Sequence, residues 1–271
     1  TSYSGAGEEQ GSMGVSVQDY DNDGNLDIFV TNFENEPNML YRNIQNKGFM
    51  DISAEVGVAQ PAKPFVGWGT SLTDFDNDGW LDLLVVNGHV YPQMEYVKSE
   101  TVQGFKQPML LHHNLGNGKF ADISKSSGLR NLPIFSSRGA AFGDLNNDGL
   151  IDVVITNLGD KPLILLNTTK NDNQKIILKL LQIGKNKDAI GSRITLKTDK
   201  RALIQEVQAG ASYISQNDFR LHFGLGKDEK IESVEIRWSD GKIEKITGVQ
   251  PNQIVTIGQG KGVVSSINFR D

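Results

Sequence analysis

One acidic segment is written three times in this chain, and no other feature restricts its fold as strongly. The copies begin at Gly14, Gly69 and Gly139 and read GVSVQDYDNDGNLDIFVTN, GTSLTDFDNDGWLDLLVVN and GAAFGDLNNDGLIDVVITN. They align without a gap, and a glycine precedes the first aspartate of each copy by five residues. Self-similarity of this kind indicates a repeat architecture.

Each copy predicts a blade of four short strands. The apolar stretches IFV, LLVV and VVI are continuous rather than alternating, which is typical of strands covered on both faces. In the first copy two more strands are expected, at NMLYRNI and GFMDIS, separated by turns. Four-stranded units that cover one another are typical of a β-propeller. Residues 11–169 then hold about two and a half to three blades, because the third copy is shorter.

Propellers close with about 4–8 blades. We therefore expect the chain to be the C-terminal part of a longer propeller protein, with residues 1–10 as a leader or the remnant of an upstream blade. From Lys175 the acidic loop no longer recurs, and alternation in SRITLKT and SVEIRW indicates strands with one wet face. The predicted fold is all-β: a partial propeller, then a small antiparallel β-sandwich over residues 170–262 and a tail over 263–271.

The acidic loops predict metal binding. Several carboxylates within nine residues repel one another unless a cation lies among them, and Ca²⁺ accepts 6–8 oxygen ligands in flexible geometry. Side chains at loop positions 1, 3, 5 and 9 and a carbonyl at position 7 would supply most of these oxygens. The candidate ligands, for up to three Ca²⁺ ions, are Asp19, Asp21, Asp23, Asn25 and Asp27; Asp74, Asp76, Asp78, Trp80 and Asp82; and Asp144, Asn146, Asp148, Leu150 and Asp152.

Other interpretations of the loop fit less well. An EF-hand would require glutamate at position 12, where this chain has Val30, Val85 and Ile155. Mg²⁺ demands strict octahedral geometry, and the loops contain neither imidazole nor thiolate for a transition metal. A solvated turn remains the alternative for one isolated copy. The third copy has one carboxylate fewer, through Asn146, so we expect it to bind Ca²⁺ most weakly.

Composition excludes several classes of protein. The formal charge of −6 and a pI near 5.3 argue against binding to nucleic acid, which usually requires a basic face. No apolar run approaches the length that spans a membrane, so we expect no membrane insertion in this segment. The chain has no cysteine and hence no disulfide. The sequence contains no nucleophile elbow, phosphate loop or dinucleotide fingerprint.

The acidic loops resemble the FG-GAP/VCBS repeat of integrin α-subunit propellers and of many secreted bacterial proteins. The segments GHVYP and GKFADIS look like the propeller of the cartilage acidic protein 1 family. DAIGSRITL, EVQAGASYISQND, LHFGLG and VEIRWSDGK look like an ASPIC/UnbV domain, a module that follows such propellers in that family. The resemblance implies calcium-loop blades followed by a second domain of the ASPIC/UnbV type.

Three further groups of residues are candidates for binding. His112 and His113 are adjacent in a predicted strand and point to opposite faces, so structural roles are favoured. The insertion from Gly88 to Pro108 could bind a sugar or a peptide, or could simply cover a blade edge. A set of polar residues in the second half could line a ligand site or be solvated loop positions. The insertion carries His89, Tyr91, Met94, Tyr96, Lys98 and Phe105, and the polar set is Arg193, Tyr213, Gln216, Asn217 and Arg220.

These features favour a calcium-binding module for binding or adhesion that is extracellular, at the cell surface or periplasmic, with an unidentified protein or carbohydrate ligand. Millimolar calcium outside cells suits loops of modest affinity. Two alternatives remain: a portion of a propeller enzyme acting on polysaccharide, and a purely structural spacer. No catalytic residues are predicted.

Overall fold

The computed structural model describes residues 2–3, 7, 9–45, 47–96, 103–227 and 229–270. The chain is all-β, with 44% of residues in strands and 6% in helices. Five sheets of three or four strands form a five-bladed propeller arrangement. The predicted count of about two and a half to three blades is therefore wrong. It followed the acidic loops, which only the first three sheets carry.

The first three sheets correspond to the three repeats, and each is an antiparallel meander. Sheets 1 and 2 have four strands and sheet 3 has three. A two-stranded pair, β1 (Ser2–Tyr3) and β2 (Glu9–Gln10), precedes them. The strands are β3 (Val15–Gln18), β4 (Asp27–Val30), β5 (Met39–Asn43) and β6 (Phe49–Asp51) in sheet 1; β7 (Gly67–Thr73), β8 (Asp82–Asn87), β9 (Leu110–Asn114) and β10 (Phe120–Asp122) in sheet 2; and β11 (Ser137–Gly143), β12 (Asp152–Asn157) and β13 (Leu163–Leu165) in sheet 3.

Sheets 4 and 5 follow a different strand order. In sheet 4, β14 pairs in parallel with β20, and the order is β17-β14-β20-β21. Sheet 5 is antiparallel, in the order β16-β15-β18-β19. The strands are β14 (Gln174–Leu181), β15 (Arg193–Thr198), β16 (Ala202–Glu206), β17 (Leu221–Gly226), β18 (Ile231–Arg237), β19 (Ile243–Ile246), β20 (Gln253–Gly258) and β21 (Gly262–Asn268).

The alternation in SRITLKT and SVEIRW predicts β15 and β18. The last strand, β21, lies almost wholly in the segment 263–271, which the sequence pattern indicates to be a tail, and it pairs with β20 at the edge of sheet 4. Its side chains are mostly exposed, so its sequence carries no strong burial pattern. The parallel pairing of β14 with β20 was also not expected, because the pattern indicated antiparallel strands only.

Three hydrophobic clusters hold the sheets together. One lies between sheets 4 and 5 and includes the fully buried Trp238 and Phe223. The other two lie between neighbouring sheets of the repeats, around Phe29 and Leu83 in one case and Val86 and Ile155 in the other. Sheet 2 is central to both, and β8 is buried along its whole length. This explains why its apolar run is continuous rather than alternating.

The repeated glycines allow the first strands to approach closely. A Cβ atom added to Gly69 would lie 2.6 Å from the backbone nitrogen of Ala140 in sheet 3. A Cβ atom on Gly139 would lie 2.9 Å from Ser215 Oγ. No real side chain tolerates such distances, so the glycine five residues before each first aspartate is required by packing.

Short helices fill the remaining gaps. Two α-helices, α1 (Ser53–Val56) and α2 (Ala59–Ala62), join sheet 1 to sheet 2. Two 3₁₀ turns cover Pro92–Tyr96 and Leu129–Asn131. In the part of the chain that the structure describes, no helix has the length and apolar character needed to cross a bilayer.

Candidate metal centres

The three acidic loops connect the first two strands of sheets 1, 2 and 3, between β3 and β4, β7 and β8, and β11 and β12. We call them loops 1, 2 and 3. All fifteen residues predicted as ligands lie in or at the ends of these loops. The first aspartate of each loop directly follows a strand, and the last one begins the next.

The chain must turn sharply within each loop, and two positions make this possible. Position 4 is an asparagine with a positive φ of 56° to 63°, at Asn22, Asn77 and Asn147. Position 6 is a glycine with φ of 80° to 91°. Asparagine tolerates the left-handed region and glycine adopts it freely, which explains the repeated Asn-Asp-Gly.

The first aspartate of each loop is a buried acceptor of backbone hydrogen bonds. Asp19 Oδ1 accepts from the Asp23 N–H at 3.0 Å, and Asp19 Oδ2 accepts from the Gly24 N–H at 2.9 Å. Asp74 and Asp144 accept from the same two loop positions in their own loops. The three side chains are only 1–3% exposed. Each therefore fixes the shape of its loop from the inside.

The last aspartate of each loop is buried in the same way. Asp27 accepts from the N–H groups of Tyr20 and Asn43, at 3.2 and 2.8 Å. Asp82 accepts hydrogen bonds from the N–H groups of Phe75 and Asn114, and Asp152 accepts them from those of Leu145 and Asn167.

The middle aspartates of the loops also accept backbone hydrogen bonds. Asp23, Asp78 and Asp148 each accept from the N–H of the residue at position 7, at 2.8 Å. One hydrogen-bond network is thus built three times.

Burial without a cation raises the pKa of these carboxyl groups. Desolvation raises the pKa of Asp19 and of Asp27 to about 7, and the neighbouring aspartates add to the effect. Desolvation likewise raises the pKa of Asp78 to about 6 and that of Asp74 well above its ordinary value. The pKa of Asp144 is raised as well, again mainly by burial. A cation among these oxygens would favour the ionised forms.

The positions of the oxygen atoms fit a single cation in loops 1 and 2. One oxygen from each of Asp19, Asp21 and Asp27 lies within 4.8 Å of the others, and Asp74, Asp76 and Asp82 form the same group in loop 2. Asp21 Oδ1 is buried, with no hydrogen-bond partner among the described residues. A buried carboxylate oxygen without a donor suits a metal ligand, and this all-oxygen donor set suits a hard cation.

Loop 3 differs at one ligand. Asn146 replaces the aspartate of position 3, and its Nδ2 donates to Asp148 Oδ2 at 2.8 Å. The remainder of the network is kept, including the contacts of Asp144 and Asp152. The substitution therefore changes the charge of the loop but not its backbone.

Arg42, which the sequence analysis does not identify, and His113, for which it favours a structural role, lie against the loops. Arg42 Nη2 lies 2.9 Å from Asp21 Oδ2, and His113 Nδ1 lies 2.9 Å from Asp82 Oδ1. His113 thus contacts the site, whereas His112, on the other face of β9, is buried in the sheet. Hydrogen bonding to Asp82 raises the pKa of His113 to about 9. Register would have placed both residues beside the loops, because each lies in β5 or β9 next to the last aspartate.

The second half of the chain contacts all three loops through their backbone oxygens. Arg193 donates to the Gly24 carbonyl at 2.8 Å, and Arg201 donates to the Asp78 carbonyl at 2.7 Å. Arg220 donates to the Asp144 carbonyl at 2.6 Å. A carboxylate accompanies each arginine: Glu206, Glu229 and Asp218, respectively.

The polar set proposed from sequence is therefore divided. Arg193 and Arg220 face the acidic loops, and Tyr213 packs edge-on against Trp68 with ring centroids 4.7 Å apart. Asn217 Oδ1 accepts from the Phe142 N–H. Asn217 and Arg220 line one cavity together with Asp74, Asp144 and His222, whereas Arg193, Tyr213 and Gln216 are not part of its lining.

The insertion after β8 exposes aromatic side chains. Tyr91 is 60% and Tyr96 87% exposed, whereas His89 is buried and lies 3.2 Å from Glu34 Oε1. Lys98 lies outside the described residues.

A groove of about 390 Å³ opens between sheets 2 and 3, and it is lined by Phe75, Leu111 and Leu165 together with Asp76 and His113.

Comparisons with known proteins agree with these two halves. Residues 19–85 match the family model of the FG-GAP-like repeat, and residues 182–264 match that of ASPIC and UnbV. The chain is 26% identical over 285 residues to human Cartilage acidic protein 1, covering 88% of this chain and 42% of the human protein. It is 24% identical over 301 residues to the mouse protein, covering 93% and 46%. The chain spans less than half the length of these relatives, and the resemblance seen in the sequence is confirmed.

Proposed function

We propose that this chain, in which an FG-GAP-like repeat precedes an ASPIC and UnbV segment, is a calcium-binding, extracellular or cell-surface module for protein binding or adhesion. The observation that carries the proposal is the threefold network of buried carboxylates. Six aspartates at the ends of the loops are at most 4% exposed, and hydrogen bonds alone do not remove the cost of burying their charge.

Calcium fits this role better than other ions. Its flexible coordination by oxygen accepts the carboxylates at positions 1, 3, 5 and 9 and the carbonyl at position 7, whereas Mg²⁺ is more demanding of geometry. The ion would be structural, because it would hold the first two strands of a sheet at their connection. The residues that would bind it are those named in loops 1 to 3.

The calcium test uses the intact chain. Isothermal titration with Ca²⁺ should give up to three binding events, and Asp19→Asn, Asp74→Asn and Asp144→Asn should each remove one. Thermal unfolding should shift upward with Ca²⁺ far more than with Mg²⁺, because a ligand that binds only the native state stabilises it. Asp172→Asn is the matched control, since Asp172 is exposed and lies outside the loops. Failure to bind any Ca²⁺ would reject the proposal.

We propose further that the ligand contacts the insertion after β8. Tyr91 and Tyr96 are large, exposed and close together in sequence, and aromatic side chains of this kind are enriched in binding surfaces. Screening of the chain against glycans and extracellular proteins, with Tyr91→Ala/Tyr96→Ala as the loss-of-binding variant, tests this. Measurement of polysaccharide turnover in the same samples addresses the alternative of an enzyme, which product release would favour.

A further inference from the structure

In sheets 1, 2 and 3, the third strand or the residue directly after it places side chains of different charge beside loops of the same shape. The residues are Arg42, His113 and Leu166. Each follows by one position a residue paired across the sheet: Tyr41 with Ile28, His112 with Leu83, and Leu165 with Val153. They therefore occupy one register position, adjacent to the last aspartate of the loop.

In loop 1 this position holds a permanent cation. Arg42 Nη2 lies 2.9 Å from Asp21 Oδ2 and 3.5 Å from Asp23 Oδ2. The other oxygen of Asp21, Oδ1, is buried and has no hydrogen-bond partner among the described residues. Asp21 thus presents one oxygen to the arginine and leaves the other for a metal ion.

In loop 3 both members of this contact pair have changed together. Asn146 stands where loop 1 has Asp21, and Leu166 stands where it has Arg42. Leu166 is 56% exposed and makes no charge contact. The third loop has therefore lost one negative charge and one positive charge at the same place.

The formal charges of the two loops are equal when this pair is counted. Loop 1 has four aspartates and Arg42, which gives −3, and loop 3 has three aspartates, which also gives −3. The arginines from the second half do not alter the comparison, because Arg193 lies 3.6 Å from Glu206 and Arg220 lies 2.6 Å from Asp218. The expectation that loop 3 binds most weakly counted only the ligands and omitted Arg42.

We propose that the residue at this register position sets the calcium affinity of its loop, and that Arg42 offsets Asp21 so that loops 1 and 3 bind Ca²⁺ with matched affinity. This inference rests on the calcium binding proposed above. A fixed positive charge close to a bound cation opposes binding. Two unit charges about 4 Å apart in water interact strongly enough to change a dissociation constant about fivefold, which gives the order of magnitude expected for Arg42.

The test measures loops 1 and 3 separately by calorimetric titration with Ca²⁺. Asp74→Asn/Asp144→Asn leaves loop 1 intact, and Asp19→Asn/Asp74→Asn leaves loop 3 intact. In the first background, Arg42→Leu should tighten binding by about fivefold. In the second, Asn146→Asp should tighten binding, and Asn146→Asp/Leu166→Arg should return the affinity to that of the parent.

Lys47→Leu is the matched control for Arg42→Leu, because it removes the same charge from an exposed turn of the same sheet. If a background does not fold, the single variants are titrated in the intact chain, where one of the binding events should shift. Unchanged or weaker binding in Arg42→Leu, with calcium still bound, would overturn this inference alone. Absence of calcium binding in the parent would reject the proposed function instead.

Discussion

Asn114 Nδ2, in the third strand of sheet 2, donates a hydrogen bond to the Tyr20 carbonyl in loop 1, 3.0 Å away. The same amide donates to the Leu81 carbonyl, and Asn114 N–H donates to Asp82. Asn167 repeats the contact one sheet further along, with Nδ2 2.8 Å from the Phe75 carbonyl. An asparagine at a fixed register position therefore links loop 1 to sheet 2 and loop 2 to sheet 3.

Removal of this link should destabilise the chain. Asn114 is 1% exposed, so Asn114→Ala leaves buried carbonyl groups without their donor, at a cost of about 1–3 kcal/mol. Urea denaturation followed by far-UV circular dichroism measures the loss. Asn131→Ala, at an exposed position, should be within about 0.5 kcal/mol of the parent. Equal stability of the two variants would contradict the link.

Gly69→Ala should be more severe than an ordinary glycine substitution. The added methyl carbon would lie 2.6 Å from Ala140 N and force sheets 2 and 3 apart, which costs about 1–3 kcal/mol. Gly104→Ala is the control, because the nearest atom to its Cβ is 3.4 Å away and its φ is not in the left-handed region. A midpoint of unfolding that is the same in both variants would show that the sheets can separate at no cost.

Asp19 and Asp27 should make the metal-free chain lose stability as the pH rises toward neutrality. The pKa values of Asp19 and Asp27 are raised to about 7 by burial, so the native state binds more protons than the unfolded state between about pH 4 and 7. The stabilising contribution of these two groups is therefore full below about pH 4 and is lost as the pH rises to about 7, by at most about 1.4 kcal/mol per pH unit for each group. Thermal unfolding in chelator at pH 6 and 7 measures the last part of this loss, and pH 8 gives the plateau that follows.

Saturating calcium is the control for that experiment, because a bound cation holds the carboxylates ionised in the native state. The midpoint should then be nearly independent of pH between 6 and 8. A chelated sample that becomes more stable toward pH 8 would refute the raised pKa values.

His112→Leu should protect the chain from acid. His112 is 1% exposed, neither ring nitrogen has a hydrogen-bond partner among the described residues, and burial lowers its pKa to about 4. A lowered pKa means that stability is lost as pH falls from about 6.5 toward 4, because the unfolded state binds the proton more readily. Thermal scans at pH 7.5 and 5 should show a smaller fall of the unfolding midpoint in the variant than in the parent. An equal fall in both proteins would show that groups other than His112 cause the loss of stability in acid.

Arg201→Ala should loosen the second half of the chain from loop 2. Arg201 donates to the carbonyls of Asp78 and Gly79 and pairs with Glu229 at 2.8 Å, and Glu229 is 5% exposed. An unpaired buried carboxylate is strongly destabilising, at about 3–5 kcal/mol. Hydrogen exchange of residues 78–82 should accelerate. The neighbouring Lys200→Ala is the control, since the bond given for its ammonium group among the described residues is to the exposed Lys227 carbonyl.

The sequence was sufficient to predict the structure of the repeats, because the contacts that define each loop and its strands are local in the chain. Spacing within nine residues placed Asp19 and Asp27 at the two ends of one loop, and the apolar run after Asp82 indicated a strand buried on both faces. The contacts of Arg42 and Arg201 could not be found in the same way. Arg42 reaches loop 1 through strand register, and Arg201 reaches loop 2 from a strand connection more than a hundred residues later.

The number of sheets also depended on non-local pairing. A count of acidic loops includes only the sheets that carry such a loop. The sequence therefore predicts a separate β-sandwich for the residues that form sheets 4 and 5. The parallel pair of β14 and β20 brings together strands separated by the whole of sheet 5. Periodicity within a strand indicates which face is buried, but it does not identify the neighbouring strand.

The three arginines on the loop carbonyls bear on how this protein should be handled at the bench. A recombinant fragment that stopped near residue 170 would expose the backbone oxygens of Gly24, Gly79 and Asp144 to water. The complementary fragment would keep three guanidinium groups whose acceptors had been cut away. Both halves belong in one expressed polypeptide, and a soluble yield from either piece alone would not show that its native surface had been preserved.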